Sequence, residues 1–592
     1  MKNMISMTID GKVLTVEEGI TILQAAEQIH IKIPTLCNHE DLCIAGNCRV
    51  CVVEQIGSKL LKASCCTPVS EGMAILSNSR KVREARKDIL SLLLSEHNDD
   101  CHHCSKNNNC ELQKLTSEYD IEDRHWLSLL KDYPIDISSP SIDKDDQKCI
   151  KCQRCVRTCE QLQEVNALAV VNRGGDLRIS TFLDKPLHNV LCTNCGQCVN
   201  RCPTGALVEK NYIREVWNAL DNPEKHVVVQ TAPAVRVAIG EILGEEPGQS
   251  NTGKMVACLR RLGFNAVFDT NFTADLTILE EGTELLTRLK KILVDKEDVK
   301  VPMFTSCSPG WIKYIEHNFP EMLDNLSTCK SPQQMFGTLA KTYYAQKKGV
   351  DPKDMIVVSI MPCTAKKFEN QRPEMYDSGY QDVDYVLTTR EFGKMIVQAG
   401  INFADMEEQQ CDSLLGTHTG AGVIFGATGG VMEAALRTAY EIVTGREVPF
   451  ANLNIMPARG FDGIKEATVT LEDCKSEWAF LNGQDLKVAI AHGLKNAGEL
   501  VRSINDGSSF YHFVEIMACP GGCLGGGGQP IPTTPEIRKK RAEAIYMEDE
   551  NMPMRKSHEN PEVLHLYEEF LKEPGSHKSH ELLHTTYSER KL

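Results

Sequence analysis

The segment Met517-Ala518-Cys519-Pro520-Gly521-Gly522-Cys523-Leu524 places two cysteines four residues apart and continues as Gly525-Gly526-Gly527-Gly528-Gln529-Pro530. Thiolates are ligands for soft metals and iron–sulfur clusters. Glycines allow the backbone to approach a bound group because they carry no Cβ. A flexible linker is the alternative, but an apolar run over residues 513–517 leads directly into the segment. The segment therefore predicts a metal site that the rest of the chain serves.

Length and charge narrow the class of protein. The chain has 592 residues, 42% of them hydrophobic, which is enough for roughly three to five domains. Its formal net charge of −16 argues against nucleic acid and favours basic or counter-charged protein partners. No run of about 18 apolar residues is present, so we expect no transmembrane span.

Cysteine usage depends on the compartment. The opening residues, Met1-Lys2-Asn3-Met4-Ile5-Ser6, form no apolar signal region and carry no twin arginine, so we expect a cytoplasmic protein. The chain has 25 cysteines, and seventeen of them precede residue 210, mostly at short spacings. In the reducing cytosol such clusters are metal ligands before they are disulfides.

Residues 1–82 form the first predicted domain. A strand pattern around Asp10-Gly11 predicts a hairpin, and a helix is expected over residues 20–29. The spacing C-x10-C-x2-C-x13-C supplies the four thiolates of a 2Fe–2S cluster, and zinc is the alternative. This pattern resembles the plant-type, β-grasp 2Fe–2S domain that opens the large iron–sulfur subunit of respiratory complex I. The predicted ligands are Cys37, Cys48, Cys51 and Cys65.

Residues 83–125 carry the pattern His97-x3-Cys101-x2-Cys104-x5-Cys110. A single histidine is usually an ordinary side chain. Here it precedes three cysteines that lack a fourth thiolate, so we predict that His97 completes the ligands of a 4Fe–4S cluster. A neutral imidazole raises a cluster's potential relative to four thiolates.

Residues 126–212 contain the bacterial two-cluster ferredoxin run, C-x2-C-x2-C-x3-C, twice. In that pattern the fourth cysteine of each run binds the other cluster. One predicted 4Fe–4S set is Cys149, Cys152, Cys155 and Cys202, and the other is Cys192, Cys195, Cys198 and Cys159. The four clusters predicted up to this point form a relay for single electrons.

Residues 213–550 change character, because the cysteine density falls and strands alternate with helices. Strand patterns at 226–230, 355–360, 383–387 and 487–491 predict an α/β domain with mostly parallel sheets. Residues 551–592 are polar, and we expect a helical tail with a helix at 562–572. The predicted fold class is therefore multidomain, α+β in the iron–sulfur part and α/β in the large domain.

Three segments of the large domain carry isolated cysteines at predicted strand ends. They are Thr305-Ser306-Cys307-Ser308-Pro309-Gly310-Trp311, Met361-Pro362-Cys363-Thr364-Ala365-Lys366-Lys367-Phe368-Glu369, and the segment with Cys519 and Cys523. Together they resemble the three active-site motifs of iron-only ([FeFe]) hydrogenases. The upstream motifs match the large clostridial-type members in the same order, so the resemblance covers essentially the whole chain. The chain is also similar to the hydrogenase subunit of NADP-reducing complexes.

The resemblance implies an H-cluster, in which a 4Fe–4S cluster is joined to a two-iron unit with CO, cyanide and azadithiolate. By motif position Cys363, Cys519 and Cys523 match cluster ligands, and Cys523 matches the bridge to the two-iron unit. Lys366 matches the cation that binds a cyanide, and Cys307 the first proton relay. The resemblance also places the following residues beside the cofactor: Met361, Met517, Phe425, Pro332, Gln333 and Ala232.

The same resemblance implies a proton path through Cys307, Glu281, Ser327 and Glu284. From the residues alone, Glu284 and Arg288 are four apart on a helix, and an ordinary surface salt bridge is the simpler interpretation. A thiol with an unperturbed pKa of about 8.5 can relay protons near neutral pH if its surroundings adjust it.

Ser308 departs from the family pattern, which has a second cysteine there as the fourth cluster ligand. Three outcomes stay open: Ser308 Oγ binds iron, Cys307 turns inward as the ligand, or the iron takes water. We favour Ser308 as ligand or near neighbour. Oxygen is a harder ligand than sulfur and should lower the cluster's potential.

The predicted function is reversible formation of H2 from protons and electrons, with ferredoxin or another one-electron carrier as partner and maturation proteins for the two-iron unit. A related alternative is a catalytic subunit of an NAD(P)-linked or electron-bifurcating complex. No flavin or nucleotide motif is present here, so other subunits of such a complex would bind the flavin and the nucleotide. A non-catalytic H2 or redox sensor and an iron–sulfur assembly protein are the others. Cys307, Lys366 and the glycine-rich segment favour the enzyme.

Overall fold

The computed structural model describes residues 3–122, 128–448 and 463–591. The chain divides into two compact units. The first comprises Met1–Gln161, Asn166–Val190 and Arg201–Val208, and the second comprises Leu162–Val165, Leu191–Asn200 and Glu209–Leu592. Within the described ranges, no helix combines the length and apolar character needed to cross a membrane.

The first unit begins with a five-stranded sheet in the order β2-β1-β5-β3-β4. Its elements are β1 (Met4–Ile9), β2 (Lys12–Glu17), α1 (Ile22–Gln28), β3 (Val52–Gln55), β4 (Leu61–Ala63) and β5 (Ala74–Leu76). The predicted hairpin is confirmed, because β1 and β2 pair antiparallel and both Asp10 and Gly11 have the positive φ that this two-residue turn requires. Helix α1 starts at a capping box between Thr21 and Gln24.

The remainder of the first unit consists of short elements separated by cysteine-rich loops. They are α2 (Arg80–Ser95), α3 (Glu111–Glu118), β6 (Ile142–Lys144), α4 (Arg154–Arg157), β7 (Ala169–Val171) and β8 (Arg178–Ser180). Strands β7 and β8 pair antiparallel. Arg86 on α2 is buried and donates to the carbonyls of Val52 and Ser77, which fixes α2 against the first sheet. Two elements have residues in both units: α5 (Gln197–Arg201) and β9 (Leu207–Glu209).

The second unit contains two four-stranded sheets. The first sheet has the order β11-β10-β13-β14 and is parallel throughout. The second has the order β12-β17-β16-β15, and only β15 runs antiparallel to its neighbour. The strands are β10 (His226–Thr231), β11 (Ala266–Asp269), β12 (Met303–Phe304), β13 (Met355–Met361), β14 (Tyr385–Thr388), β15 (Ile464–Leu471), β16 (Gln484–His492) and β17 (Phe513–Met517).

The four predicted strands of this unit are confirmed as β10, β13, β14 and β16, and the prediction of mostly parallel sheets is confirmed with them. Helices alternate with the strands and account for the alternating pattern. Those up to β14 are α6 (Ile213–Leu220), α7 (Ile239–Ile242), α8 (Thr252–Leu262), α9 (Thr270–Lys290), α10 (Pro309–Asn318), α11 (Pro332–Leu339), α12 (Ala345–Lys348) and α13 (Lys366–Glu369). Those that follow are α14 (Thr389–Gln398), α15 (Gly420–Ile424), α16 (Gly430–Thr444), α17 (Leu494–Asn505) and α18 (Pro535–Asn551).

The C-terminal tail is helical, as predicted. Helix α19 (Pro561–Leu566) continues as a π-helical turn over Tyr567–Leu571 and is followed by α20 (His577–Leu583). Val563, Leu566 and Leu583 are fully buried in the same core as the parallel sheet. The tail is therefore part of the large domain's core, which explains its regular apolar positions in an otherwise polar sequence.

Candidate active site

The three cysteine-bearing segments of the second unit meet at one cavity. They follow β12, β13 and β17. Strands β12 and β17 are parallel neighbours, so their carboxyl ends lie at the same edge of one sheet, and the segment after β13 of the other sheet lines the same cavity. The cavity has a volume of about 80 Å³. Its lining includes every residue that the resemblance placed at the cofactor: Cys307, Ser308, Cys363, Cys519, Cys523, Lys366, Met361, Met517, Phe425, Pro332, Gln333 and Ala232.

The thiols in this cavity are the chemical feature that stands out. Burial raises the pKa of Cys519 well above its ordinary value, and the nearby Cys363 thiol adds to the effect. Burial likewise raises the pKa of Cys363, and that of Cys523 to about 12. Buried thiols become thiolates when they bind a soft metal, so this set suits an iron–sulfur centre. Met361, Met517 and Phe425 add apolar walls.

Lys366 is the cation of the cavity. Its Nζ donates to the carbonyl oxygen of Cys307 at 3.0 Å and to Glu369 Oε2 at 2.9 Å. The same carboxylate oxygen accepts from Ser331 Oγ and Gln333 Nε2, each at 2.9 Å. Glu369 therefore fixes the ammonium group beside the thiols, where an anionic ligand can be neutralised.

Ser308 lies at the cavity wall immediately before α10. Its Oγ accepts a hydrogen bond from the backbone N–H of Ala518 at 3.2 Å. Ala518 precedes Cys519 and also lines the cavity. The hydroxyl thus belongs to the same cavity as the three candidate thiol ligands.

A line of proton-carrying side chains leads from the cavity along α9. Glu281 is buried and faces Cys307, and it is hydrogen-bonded to the Ser327 side chain and the Ser306 backbone. Ser327 Oγ also donates to Glu284 Oε2 at 3.0 Å. Glu284 pairs with Arg288 at 2.6 Å, and the two side chains are only 13% and 11% exposed. The structure therefore brings Cys307, Glu281, Ser327 and Glu284 together, and the Glu284–Arg288 pair is nearly buried.

Glu281 and Cys307 in this line hold their protons tightly. Burial raises the pKa of Glu281 to about 8, and the charge of Glu284 contributes. Burial, followed by the charge of Glu281, raises the pKa of Cys307 well above its ordinary range. A carboxyl group with a pKa near 8 exchanges protons in the physiological range.

The glycines of the opening segment pack against protein rather than around open space. A Cβ at Gly526 would overlap the carbonyl oxygen of Pro362, and one at Gly525 would overlap that of Pro520. A Cβ at Gly522 would lie 2.7 Å from the backbone nitrogen of Thr428. Close backbone packing therefore requires these glycines. Gly522 and Gly526 also line the cavity, and their approach to a ligand stays a prediction.

Buried side chains hold the carbonyls of this segment. Arg390 donates to the carbonyls of Gly527 at 2.7 Å and Gln529 at 2.6 Å, and Arg541 donates to that of Leu524 at 2.7 Å. Gln197 and Asn200 donate to the carbonyls of Gly525 and Gly526 at 2.8 and 2.9 Å. These five carbonyl contacts fix the loop that carries Cys523.

Sequence reasoning assigned no role to Glu369, Arg390, Arg541 or Glu515. Glu369 could have been found from its i,i+3 spacing to Lys366. Glu515 interrupts the apolar run of β17 and accepts from the N–H groups of Gly429 and Met432 at 2.7 Å each, although burial still raises its pKa to about 7. The two arginines carried no local signal, because their partners are more than ten residues away.

The first unit gathers two further thiol sets. Cys37, Cys48, Cys51 and Cys65 are buried together, with Cys51 Sγ and Cys65 Sγ 3.3 Å apart. Hydrogen bonding from Cys65 lowers the pKa of Cys51 to about 6, which suits a thiolate ligand. Cys149, Cys152, Cys155 and Cys202 line a separate cavity of about 20 Å³, which is the grouping predicted from the crossed ferredoxin pattern.

The remaining predicted ligands are divided between the two units. Cys101, Cys104 and Cys110 lie close enough for their charges to interact, and His97 is buried. Cys192 and Cys195 lie together in the second unit, and Cys195 also lines the main cavity near Cys363 and Cys519. Cys198 belongs to the same unit. Cys159 belongs to the first unit, where its Sγ accepts from the backbone N–H of Ala167 at 3.3 Å.

The buried thiol sets and the thiol-lined cavity suit an iron–sulfur protein. Comparison with known families identifies which kind. Residues 225–527 match the C-terminal domain of the iron-only hydrogenase large subunit, and residues 535–590 match the iron hydrogenase small subunit. Residues 2–80 match a 2Fe-2S iron-sulfur cluster binding domain. Residues 86–125 match the NADH-ubiquinone oxidoreductase-G iron-sulfur binding region, and 139–208 the ferredoxin-like domain of NADH-quinone oxidoreductase subunit 3.

Individual relatives agree with the family matches. The NADP-reducing hydrogenase subunit HndD of Solidesulfovibrio fructosivorans is 51% identical, over 99% of both chains. Iron hydrogenase 1 of Clostridium pasteurianum is 41% identical over 98% of this chain and 99% of its own length. The structure of a cysteine-to-histidine variant of apo [FeFe]-hydrogenase HydA1 from Chlamydomonas reinhardtii superimposes with a TM-score of 0.58 at 45% identity, over 65% of this chain and all of that chain.

The chain belongs to the iron-only ([FeFe]) hydrogenase family and is a hydrogenase enzyme. It carries an H-cluster hydrogenase domain together with 2Fe–2S and 4Fe–4S binding domains.

Proposed function

We propose that this chain catalyses reversible H2 formation at an H-cluster held by Cys363, Cys519 and Cys523, with Ser308 at the fourth position. The observation that carries the proposal is the cavity in which these residues, Lys366 and Cys307 converge. The buried thiols supply soft ligands, and the fixed glycine-rich loop presents Cys523. The donor set therefore fits the cofactor that the family uses.

The H-cluster, when bound, supplies the redox iron at which protons and electrons combine. The protein holds it and manages charge around it. Lys366, fixed by Glu369, neutralises an anionic ligand. Met361, Met517 and Phe425 exclude water from the cavity, which strengthens these electrostatic interactions.

Protons reach the cavity through Glu284, Ser327, Glu281 and Cys307. Glu281 holds its proton below about pH 8 and can pass it to Cys307, because its buried carboxyl is the acid nearest that thiol in the line. Ser327 connects the two carboxyl groups through its hydroxyl, which both accepts and donates.

Electrons enter through four accessory clusters, which lie in the proposed domains 1–82, 83–125 and 126–212. They then reach the proposed catalytic domain at 213–550. The tail at 551–592 completes this domain. The proximity of Cys195 to Cys363 and Cys519 supports transfer from the last cluster to the H-cluster. All 25 cysteines are free thiols, which suits ligand use in a reducing cytosol.

Two electron partners fit this arrangement. Ferredoxin or a similar one-electron carrier suits a relay of single-electron clusters. Membership in an NADP-linked complex is supported by the 51% identity to HndD, which is named as a subunit of an NADP-reducing hydrogenase. Flavin- and nucleotide-binding subunits would then be separate chains.

The decisive experiment measures H2 evolution from reduced methyl viologen by the full chain after maturation, together with its infrared spectrum. We expect turnover and absorption bands from iron-bound CO and cyanide. An inactive protein that shows the full set of bands would contradict the catalytic role and favour a sensor.

Ser308→Cys tests the fourth position separately. If Ser308 Oγ binds iron, replacement by the softer thiolate should raise the midpoint potential of the 4Fe–4S part of the H-cluster. Spectroelectrochemical titration of the infrared bands measures this potential. The same substitution at Ser91, a buried serine on α2, is the control. An unchanged potential would show that Ser308 is only a neighbour.

A further inference from the structure

The outer end of the proposed proton path is covered by the C-terminal segment. Thr328 donates to Glu284 Oε2 through its backbone N–H at 3.0 Å and through its hydroxyl at 3.2 Å. The same hydroxyl oxygen lies 2.7 Å from His584 Nδ1. One hydroxyl group therefore links an imidazole to the outermost carboxylate of the path.

The second nitrogen of the His584 ring lies beside a buried carboxylate. Nε2 lies 3.3 Å from Glu280 Oε2, and the side chains of His584 and Glu280 are 6% and 0% exposed. Glu280 also accepts from the hydroxyl of Tyr567 at 2.7 Å and the backbone N–H of Gly575 at 2.8 Å. These bonds fix Glu280 and hence the orientation of the ring, as a carboxylate does for a catalytic histidine.

A second imidazole lies beside this pair and is exposed to solvent. His580 is exposed on α20, and its ring centroid lies 4.1 Å from that of His584. Burial and the charge of His584 lower the pKa of His580, so a protonated His580 gives up its proton readily. By contrast, Glu284 itself is only 13% exposed and is occupied by Arg288.

We infer that His580 and His584 form a second branch that carries protons between solvent and Glu284. The inference rests on the proposed proton path and extends it. During H2 formation, Nδ1–H of protonated His584 gives its proton to Thr328 Oγ, while the Thr328 hydroxyl proton passes to Glu284 Oε2. His584 is left neutral and regains a proton from solvent through His580. H2 oxidation reverses each transfer.

The branch adds two imidazole groups to the proposed path. The titratable groups that face the two rings are Glu280 and Glu284 of α9, Cys329, and His577, which lies on α20 with His580. Tyr567 lies beyond Glu280.

The test compares H2 evolution from reduced methyl viologen between pH 5 and 9 for the full matured chain and its His584→Gln and His580→Ala variants. Glutamine keeps a hydrogen-bonding group beside Thr328 but cannot carry a proton. We expect the His584→Gln rate to fall on the order of tenfold near pH 8, less than the 10²–10⁴ typical of a lost direct acid or base. The deficit should shrink toward pH 5, where carboxyl groups take protons from water directly.

Added imidazole should restore the His580→Ala rate, which no structural role of the side chain would predict. His565→Ala is the matched control, because that histidine is 54% exposed and pairs with Glu569 outside the network. The infrared bands of every variant must match those of the parent, because they report that the cofactor is assembled. If His584→Gln loses these bands, the His580→Ala rate and its restoration by added imidazole decide the test.

The outcomes separate the branch from the path. Parent-like rates and pH profiles in both histidine variants, with a slow Glu284→Gln variant, would overturn the branch and leave the path intact. A fully active Glu284→Gln variant would overturn the path and the branch together.

Discussion

Glu281 is a carboxylic acid in a site with little water, and this sets its pH dependence. Burial, with the charge of Glu284, raises its pKa to about 8 from 4.5. Below about pH 8 it carries the proton that Cys307 needs, and above it the donor is lost. We expect viologen-driven H2 evolution by the parent to fall as pH rises through about 8. Glu281→Gln should lower the rate by on the order of 10²–10⁴-fold and remove this inflection.

Stability changes with the same group and provides the check. An acid with a raised folded-state pKa stabilises the fold below its unfolded pKa, and that contribution is lost as pH rises from 4.5 toward about 8. Glu281→Gln should therefore unfold at a higher temperature than the parent at pH 9. Glu536→Gln, at a side chain that is 78% exposed, should change neither activity nor stability. A parent-like rate in Glu281→Gln would place the proton path elsewhere.

At the scale of elements, the loop after β17 is a packed structure whose glycines are set by their neighbours. Gly526→Ala would push this loop away from Pro362, next to the candidate ligand Cys363. Overpacking of this kind costs about 1–3 kcal/mol, and here it also separates two ligand-bearing segments. We expect lower thermal stability and weaker CO and cyanide bands per chain after maturation.

The control for this loop is Gly175→Ala. Gly175 is exposed, and a Cβ there would meet nothing within 4 Å. Its stability and infrared bands should equal those of the parent. If Gly526→Ala assembled the cofactor as fully as Gly175→Ala does, the close packing of the loop would not govern assembly.

Across the whole molecule, the sequence predicted the features that depend on short spacings and periodic patterns. The Asp10-Gly11 hairpin, the parallel strands and the cysteine groupings around Cys149 and Cys202 depend on short spacings, and sequence revealed them. The carbonyl contacts of Arg390 and Arg541 and the burial of Glu280 against His584 join residues far apart in the chain. Such contacts exist only after the α/β domain has folded, so no periodicity predicts them.

The separation of electron supply from catalysis gives the last prediction. Cys149 lines a cavity in the first unit, whereas the thiols of the main cavity belong to the second. Cys149→Ala should remove one 4Fe–4S signal from the electron paramagnetic resonance spectrum and leave the CO and cyanide bands unchanged. Since ferredoxin is too large to reach the catalytic cavity, ferredoxin-driven H2 evolution should fall more than the rate with methyl viologen.

The matched control is Cys474→Ala, at a thiol outside every predicted cluster, which should keep all signals and both rates.

With H2 as donor, the isolated chain should reduce viologen but not NADP⁺, because it has no flavin or nucleotide motif. Reduction of NADP⁺ by the chain alone would contradict the separate-subunit proposal. Equal losses with ferredoxin and viologen in Cys149→Ala, with intact infrared bands, would instead mean that every electron passes through this one cluster.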